Sequence, residues 1–188
     1  YFRNYHPCDE DFVQLDLNQN LDEIINIIKS NDIDVVVNFA SQSMVGESWD
    51  NPSHWYKTNV LSTCAFYDLL STLNNIKLVH VSTPEVYGSC NGAVVESNPF
   101  NPTTHYAVSR SAADYHLRNL GEFRGLDYVI TRASNVYGEC QDLYRLIPKA
   151  IHKFYSNKVF PLHGGGTSRR NFIHIDDVVK AIVELMKK

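Results

Sequence analysis

Residues 76–88 read Ile76-Lys-Leu-Val-His-Val-Ser82-Thr-Pro-Glu-Val-Tyr-Gly88, an apolar run that ends in a polar turn. A short, continuously apolar run rich in β-branched residues is typical of a strand covered on both faces of a parallel sheet. Residues 34–40 and 127–132 have the same character, and polar residues follow each of them. Because ligands bind at the carboxyl ends of the strands in such sheets, the candidate site lies in the segments that follow these three strands.

Helical patterns separate the predicted strands. Helices are predicted over residues 21–30, 51–73, 103–123, 143–154 and 176–187. The proline at position 52 suits a first helical turn. Strands that alternate with helices of this length indicate βαβ units, and right-handed crossovers then give a doubly wound parallel sheet. The predicted fold class is α/β, and 188 residues favour a single domain.

Composition excludes several classes of protein. Lys and Arg number 17 against 21 Asp and Glu, a formal charge of −4, which argues against a nucleic-acid or anionic-membrane surface. The sequence has no run of about 18 apolar residues, so no transmembrane helix is predicted. The eight histidines show no ligand spacing, so no metal site is predicted. Gly164-Gly-Gly166 precedes an apolar run and does not open a helix, which indicates a turn.

The four cysteines are spread along the chain with no C-x-x-C pair: Cys8, Cys64, Cys90 and Cys140. A disulfide framework or a zinc site would cluster them. We therefore expect free thiols in a reducing compartment, and a cytoplasmic location.

Tyr106 and Arg110 are four residues apart on a predicted helix, so they share one face. A cation beside a phenol favours the phenolate and lowers the phenol's pKa. A tyrosine tuned in this way acts as a general acid or base. The strand before this helix ends in Ser82-Thr83, whose hydroxyls could bind a substrate oxygen, and Glu85 follows two residues later.

Three segments taken together resemble extended short-chain dehydrogenase/reductases that act on nucleotide sugars, the NAD-dependent epimerase/dehydratase family. These are residues 83–88, Thr-Pro-Glu-Val-Tyr-Gly; 106–110, Tyr-Ala-Val-Ser-Arg; and 169–177, Arg-Arg-Asn-Phe-Ile-His-Ile-Asp-Asp. The resemblance extends from about Asp16 to Lys187. It is greatest to the nucleotide-sugar 4,6-dehydratases of the dTDP-glucose and GDP-mannose types, and it implies a Rossmann-like fold and NAD as cofactor.

The resemblance implies a hydride cycle with four catalytic residues. Tyr106 would take the proton of the sugar 4-hydroxyl while NAD accepts hydride from C4, and Thr83 would hold the same oxygen. Glu85 would remove the C5 proton, which the new 4-keto group makes acidic. Water then leaves from C6, and the hydride returns there. Arg110 stands where the family has lysine and, with its charge kept on a planar fork, is expected to reach the nicotinamide ribose and favour the Tyr106 phenolate.

A second departure is Pro84. The dTDP-glucose enzymes have an aspartate at this position, which protonates the departing C6 hydroxyl, whereas the GDP-mannose type also lacks it. Two alternatives to a dehydratase therefore stay open. One is a nucleotide-sugar 4-epimerase or decarboxylase on the same scaffold, which differs in the role of Glu85. The other is a non-catalytic relative that binds a sugar nucleotide or a partner subunit, consistent with Arg110.

The resemblance also implies contacts with the cofactor. Asp16, after a predicted strand over 12–16, matches the aspartate that contacts the adenine ring. Phe39, Ala40 and Ser41 match the segment that lies along the cofactor. Tyr106 and Arg110 are further expected cofactor contacts. Asn59 matches an asparagine that supports the active site. A strand-end cap or turn residue is the alternative interpretation of both Asp16 and Asn59.

Three positions match residues that bind the substrate. Asn135 matches the residue that grips the sugar diphosphate, and Arg170 matches the arginine that pairs with the nucleotide phosphate. Arg145 is a further candidate for the same surface. By resemblance we also expect a homodimer paired through the helices at 51–73 and 103–123.

A glycine-rich turn after a first strand normally forms the pyrophosphate site of this fold, and the sequence contains no such motif. The family would place that turn before Tyr1, and most of the part that closes over the sugar nucleotide after Lys188. We therefore expect residues 1–188 to be a partial NAD(P)-binding Rossmann-like domain, cut at both ends, with the substrate-binding part beginning at about 160. We expect this chain to bind NAD weakly by itself.

Overall fold

The computed structural model describes residues 12–90, 92–167 and 169–187. The chain divides into two compact units, described here one at a time. The larger comprises Gln14–Ala133 and Ile182–Lys188, and the smaller comprises Tyr1–Val13 and Ser134–Ala181. Cys8 lies outside the described residues. A substrate-binding part that begins near 160 stays a prediction.

The larger unit alternates helices and strands in chain order. Its elements are α1 (Leu21–Ser30), β1 (Val35–Asn38), α2 (Pro52–Tyr56), a π-helical segment (Lys57–Ser62), α3 (Thr63–Leu70), β2 (Lys77–Val81), α4 (His105–Arg124) and β3 (Asp127–Thr131). Short 3₁₀ turns span Gly46–Trp49 and Pro84–Tyr87. The three strands form one parallel sheet in the order β1-β2-β3, with Leu78 opposite both Val36 and Tyr128. The predicted α/β class and parallel sheet are confirmed.

Local sequence explains where the principal helix begins and ends. The Thr104 side chain accepts a hydrogen bond from the Ala107 backbone N–H at 3.0 Å and so caps α4. Gly125 ends the helix in the left-handed region, with φ of 72°. A cluster of buried apolar side chains lies between α1, α3, α4 and the sheet, and Leu70, Leu78 and Leu117 are fully buried in it. Each such side chain contributes roughly 1.5–3 kcal/mol to folding.

The predicted helix over 51–73 is helical from Pro52 to Leu70, but its middle turn is π-helical. The Thr63 hydroxyl donates to the Thr58 carbonyl, five residues back, at 2.9 Å. The π turn brings Asn59 into the interior, where it is fully buried. Such bulges are frequent at functional sites.

The smaller unit contains β4 (Asn135–Tyr137), α5 (Leu146–Tyr155), β5 (Phe172–His174) and the start of α6 (Ile175–Lys187), with β4 and β5 parallel. These two strands are missing from the sequence prediction, because runs of three residues are too short to show a period. The turn predicted at the three glycines is confirmed as a 3₁₀ turn over His163–Gly166. The strand predicted over 12–16 is wrong, since residues 12–16 pair with no strand in the described part of the chain.

No helix within the described residues is both long enough and apolar enough to span a membrane.

Candidate active site

The turn after β2 carries Thr83 and Glu85. Thr83 is 7% exposed, and its Oγ1 accepts a hydrogen bond from the Glu85 backbone N–H at 3.2 Å. This bond caps the 3₁₀ turn Pro84–Tyr87, in which proline suits the first position because it needs no hydrogen-bond acceptor. Oγ1 accepts here, so its proton can still be donated to a substrate oxygen. Glu85 is partly exposed.

Gly88 ends the same turn with φ of 69°, a conformation that side chains rarely adopt. A Cβ at this position would collide with the backbone carbonyl oxygen of Asn101. The Asn101 N–H in turn donates to the Val86 carbonyl at 2.9 Å. The glycine therefore lets the 98–101 segment pack directly against the turn that holds Glu85.

The first turn of α4 holds Tyr106. Its backbone N–H donates to the hydroxyl of buried Ser48 at 3.3 Å, and Ser48 donates to the Val45 carbonyl at 2.6 Å. The neighbouring His105 ring makes an edge contact with Trp49, with ring centroids 4.9 Å apart. These contacts fix the helix end against residues 45–49 and leave the Tyr106 side chain partly exposed.

Asn59 connects the strand-end loop after β1 with α4. Its Oδ1 accepts from the Gln42 backbone N–H at 2.7 Å, and its Nδ2 donates to the Gln42 carbonyl at 3.0 Å and to the Ser109 hydroxyl at 2.9 Å. Ser109 donates to the Tyr106 carbonyl at 2.7 Å. Asn59 therefore ties the loop after β1 to the first turns of α4, and its supporting role in an active site stays a prediction.

Arg110 is 2% exposed, and its guanidinium lies inside the protein. Nη2 donates to the Val81 carbonyl and lies 3.4 Å from His80 Nε2, whereas Nε and Nη1 have no partner within the described residues. Among those residues no hydrogen bond joins Arg110 to Tyr106. The expected contacts of Arg110 with the phenol and the ribose stay predictions.

The structure contains a buried polar network beneath the strand ends, which the sequence analysis did not predict. Asn38 donates to the Tyr67 hydroxyl at 2.7 Å, and that hydroxyl is hydrogen bonded to His80 Nδ1. His80 Nε2 lies 3.1 Å from Asp114 Oδ1, and Arg132 donates to Asp114 Oδ2 from Nη2 at 2.8 Å. Tyr67, His80 and Asp114 have no exposed surface. The available signal is the spacing of Tyr106, Arg110 and Asp114, four residues apart on one helix face.

Burial and hydrogen bonding set the charges in this network. Burial lowers the pKa of His80 and raises that of Tyr67. Burial by itself would raise the pKa of Asp114, but the hydrogen bonds from His80 and Arg132 reverse this and lower it. We therefore assign an ionised Asp114 beside a neutral His80 that carries its proton on Nε2.

Besides Asn59, Tyr106 and Arg110, the predicted cofactor residues lie in two places in the larger unit. Phe39, Ala40 and Ser41 directly follow β1, and Phe39 is 62% exposed. Asp16 is exposed, and its carboxylate accepts from the Asn18 backbone N–H at 2.8 Å. That backbone hydrogen bond lowers the pKa of Asp16. The local hydrogen bonding of Asp16 is that of a turn residue, and its contact with adenine stays a prediction.

The predicted substrate residues belong to the smaller unit, and all three are exposed. Asn135 begins β4, and its Nδ2 donates to the Asn171 carbonyl at 2.9 Å. Arg145 precedes α5, with its guanidinium carbon 5.1 Å from the centre of the Tyr144 ring. Arg170 lies two residues before β5.

Residues 2–188 match the model of a protein family described as the NAD dependent epimerase/dehydratase family. The chain is similar to the dTDP-D-glucose 4,6-dehydratase of Homo sapiens, with 35% identity over 182 residues, which cover 96% of this chain and 49% of that protein. The corresponding enzyme of Dictyostelium discoideum is 33% identical over 87% of this chain and 40% of its own length. The chain thus spans about half the length of the curated relatives it matches, or less.

Solved structures show the same fold. The dTDP-glucose 4,6-dehydratase of Bacillus anthracis, in complex with NAD, superposes with a TM-score of 0.84 at 34% identity, over 94% of this chain and 55% of that one. A UDP-N-acetylglucosamine 4-epimerase of Methanobrevibacter ruminantium gives a TM-score of 0.86 at 27% identity, over 97% and 60%. Dehydratases and epimerases are therefore both structural neighbours. With a matching family model over nearly its whole length and relatives above 30% identity, the chain belongs to the NAD dependent epimerase/dehydratase family.

Proposed function

We propose that the full-length protein is an NAD-dependent nucleotide-sugar 4,6-dehydratase that acts on dTDP-glucose or GDP-mannose. The observation that carries the proposal is the capped turn after β2, which holds a carboxyl group, Glu85, next to a nearly buried hydroxyl, Thr83. This turn contacts α4, the helix that bears Tyr106. Epimerisation at C4 needs no base at C5, whereas dehydration does. The dehydratase names of the relatives support the same choice.

We propose that the residues after β1 contact the nicotinamide half of the cofactor. Phe39 and Ala40 directly follow the strand, and both are exposed. Asn59 fixes the loop that follows them by binding both backbone groups of Gln42. We assign no residue to the pyrophosphate, because the sequence contains no glycine-rich turn after a strand. When bound, NAD supplies a hydride acceptor for C4 and returns the hydride to C6.

In the proposed reaction Tyr106 accepts the proton of the sugar 4-hydroxyl as the C4 hydrogen departs as hydride. Thr83 donates its free hydroxyl proton to the same oxygen and so holds it in place. The resulting 4-keto group acidifies the C5 hydrogen, and Glu85 removes that proton as general base. For Arg110 we propose an electrostatic role from within the interior, because its guanidinium is enclosed.

The elimination also needs a proton for the hydroxyl that leaves from C6. Pro84 has no acidic group, so the position before Glu85 cannot supply the proton. Once Glu85 has taken the C5 proton, it is a neutral acid on the turn that adjoins the reacting carbons. We propose that this same proton passes from Glu85 to the C6 oxygen, so that water leaves and the carboxylate is restored. When the hydride adds at C6, C5 takes a proton from solvent, which balances the proton that Tyr106 took from the 4-hydroxyl.

For Asn135, Arg145 and Arg170 we propose contacts with the diphosphate and the nucleotide. All three are exposed, and a guanidinium binds phosphate oxygens in a bidentate manner. Replacement of either arginine by methionine in the full-length protein should raise KM by about tenfold with a smaller change in kcat. An unchanged KM would remove that arginine from the phosphate site.

We also propose a homodimer that pairs through the helical path Pro52–Leu70 and through α4. Apolar side chains are exposed on both, with Leu61 69%, Val108 40% and Tyr115 48% exposed. Light scattering of the full-length protein measures its mass, and Leu61→Glu should shift a dimer toward monomer. A monomeric wild-type protein would contradict this pairing. A cytoplasmic location stays a prediction.

The decisive experiment incubates the full-length protein with NAD and either dTDP-glucose or GDP-mannose in deuterium oxide. A 4,6-dehydratase gives a 4-keto-6-deoxy product with deuterium at C5, whereas a 4-epimerase gives the C4 epimer without such uptake. Glu85→Gln should slow dehydration by about 10²–10⁴-fold, the range for removal of a general base. Glu122→Gln, an exposed carboxyl on α4, is the matched control and should leave the rate unchanged.

Two results would redirect the proposal. Epimer formation with an unaffected Glu85→Gln variant would indicate the 4-epimerase. Substrate binding without turnover of any nucleotide sugar would indicate a non-catalytic binding protein, provided that Arg110→Lys does not restore turnover. The observation that favours this alternative is the enclosed guanidinium of Arg110.

A further inference from the structure

Arg132, directly after β3, hydrogen bonds to two other elements of the larger unit. Its Nε and Nη2 donate to Asp114 Oδ2 at 3.2 and 2.8 Å, and its Nη1 donates to the Tyr87 hydroxyl at 3.2 Å. All three guanidinium nitrogens are therefore used, and the side chain is 12% exposed. A planar guanidinium held at three nitrogens has little freedom to move.

The two groups that Arg132 joins belong to the two elements of the proposed chemistry. Asp114 is on α4, eight residues or about two turns after Tyr106. Tyr87 is in the 3₁₀ turn Pro84–Tyr87, two residues after Glu85. Arg132 thus connects the helix that bears the proposed C4 base directly to the turn that bears the proposed C5 base.

Aromatic packing strengthens this connection. Two guanidinium groups contact the Phe100 ring, with the Arg132 carbon at 5.1 Å and the Arg118 carbon at 4.8 Å from its centre. Phe100 also makes an edge contact with the Tyr87 ring at 5.5 Å. Cation–π contacts of this kind hold a ring in a defined place. The same arginine therefore contacts the segment whose Asn101 N–H bonds to the Val86 carbonyl of the Glu85 turn.

We propose that Arg132 is a positioning residue that sets the location of Glu85 relative to Tyr106, an inference that rests on the proposed function. Thr83 does not depend on this connection to the same degree, because the Ser82 N–H before it is bonded to the Thr131 carbonyl at 2.8 Å within the sheet. Loss of the Arg132 bridge should therefore displace Glu85 more than Thr83 or Tyr106. Proton removal at C5 then slows while hydride removal at C4 continues.

The test compares two steps in the full-length protein with the proposed substrates. Arg132→Lys keeps the charge but cannot make the three bonds, and Tyr87→Phe removes only the hydroxyl. We expect either variant to slow elimination by tenfold to ~100-fold, the scale for a misplacement of about 1 Å. Oxidation at C4 should change by less than about threefold. Reduced nicotinamide, followed by its absorbance, should then accumulate before product appears.

The double variant Arg132→Lys with Tyr87→Phe should lose no more than Arg132→Lys alone, because the link is already broken. Arg124→Lys is the matched control, since Arg124 also joins α4 to another element, through Asp68 at 3.3 Å and Ser71 at 3.1 Å. It should leave both steps unchanged. An equal loss of both steps in the Arg132 and Tyr87 variants, or no loss in either, would overturn the proposal.

Amide hydrogen exchange of residues 84–101 gives a second readout that needs no substrate. Arg132→Lys and Tyr87→Phe should speed exchange at Gly88 and Asn101 by at least tenfold, with α4 unchanged. Unchanged exchange at both amides would overturn the proposal. If the wild-type protein turns over no nucleotide sugar, the proposed function fails, whereas this exchange result still decides whether Arg132 holds the turn.

Discussion

Asp114 is the anion on which the buried network depends, and replacing it by asparagine should destabilise the protein strongly. Its carboxylate has no exposed surface and binds His80 through one oxygen and Arg132 through the other. Enclosed Arg110 lies 3.4 Å from the same His80 nitrogen. Without the negative charge, the Arg132 guanidinium loses its counter-ion and the His80 N–H loses its charged acceptor.

The magnitude follows from burial. Removal of one partner from a buried ion pair costs about 3–5 kcal/mol, because the remaining charge stays uncompensated. An asparagine amide has only one acceptor oxygen. If that oxygen faces His80, the amide NH2 faces the Arg132 donors, and if it faces Arg132, the NH2 faces the His80 N–H. We therefore expect Asp114→Asn to lower the free energy of unfolding by about 3–5 kcal/mol.

The pH dependence is a second check. The pKa of His80 is lowered from 6.5 by burial, so its contribution to stability is complete above pH 6.5 and is lost as the pH falls. The pKa of Asp114 is lowered from 3.8, so its contribution is lost only below about pH 3.8. Between pH 7.5 and 5.5 the wild-type protein and the variant should both lose stability, and the deficit of Asp114→Asn should persist across this range.

Urea unfolding followed by circular dichroism measures both quantities. Asp68→Asn is the matched control, because Asp68 also pairs with an arginine and a histidine, Arg124 and His116, but its side chain is 45% exposed. Surface pairs are worth about 1 kcal/mol or less. A deficit for Asp114→Asn no larger than that of Asp68→Asn would refute the argument.

Three further predictions concern the turn that ends at Gly88, the hydrogen bonds of Asn59 to the loop after β1, and the thiols. Gly88→Ala should destabilise by at least about 2 kcal/mol because φ is 69° and backbone lies in the way, whereas Gly46→Ala, which meets nothing within 4 Å, should be near neutral in the same urea assay. Asn59→Ala breaks three hydrogen bonds of a fully buried side chain and should cost about 3 kcal/mol, with Asn59→Asp no better; a cost below 1 kcal/mol would contradict this. Burial raises the pKa of Cys64 to about 11, so a variant with Cys64 as its sole thiol should react with a disulfide reagent at pH 8 roughly 100-fold more slowly than one with only exposed Cys90, and equal rates would refute the assignment.

Much of the larger unit could be predicted from the sequence, because local patterns determine it. Continuous apolar runs identified β1, β2 and β3, and helical spacing identified α1 and α4. The Thr-Pro-Glu-Val-Tyr-Gly segment was recognisable as the polar segment that follows β2. Short-range sequence signals suffice for such elements, since a strand, a cap and a turn each depend on a few neighbouring residues.

The environment of Arg110 could not be predicted in this way. Spacing on the helix places Arg110 on the same face as Tyr106. It does not show whether the guanidinium points outward or inward. Packing against β2 decides this, and it brings the side chain to the carbonyl of Val81, 29 residues away in sequence. The strand predicted over 12–16 failed for a related reason, since a strand needs a partner that only the tertiary fold provides.

By itself, then, the sequence determined the α/β class, the strand-end placement of Thr83 and Glu85, and the helix that carries Tyr106. Only the tertiary structure decided that Asn59 is turned inward by a π-helical segment and that Arg132 joins Asp114 to the Tyr87 turn. The physical reason is range. Periodicity and capping act over a few residues, whereas the pairing of buried polar groups depends on which distant segments the packed core brings together.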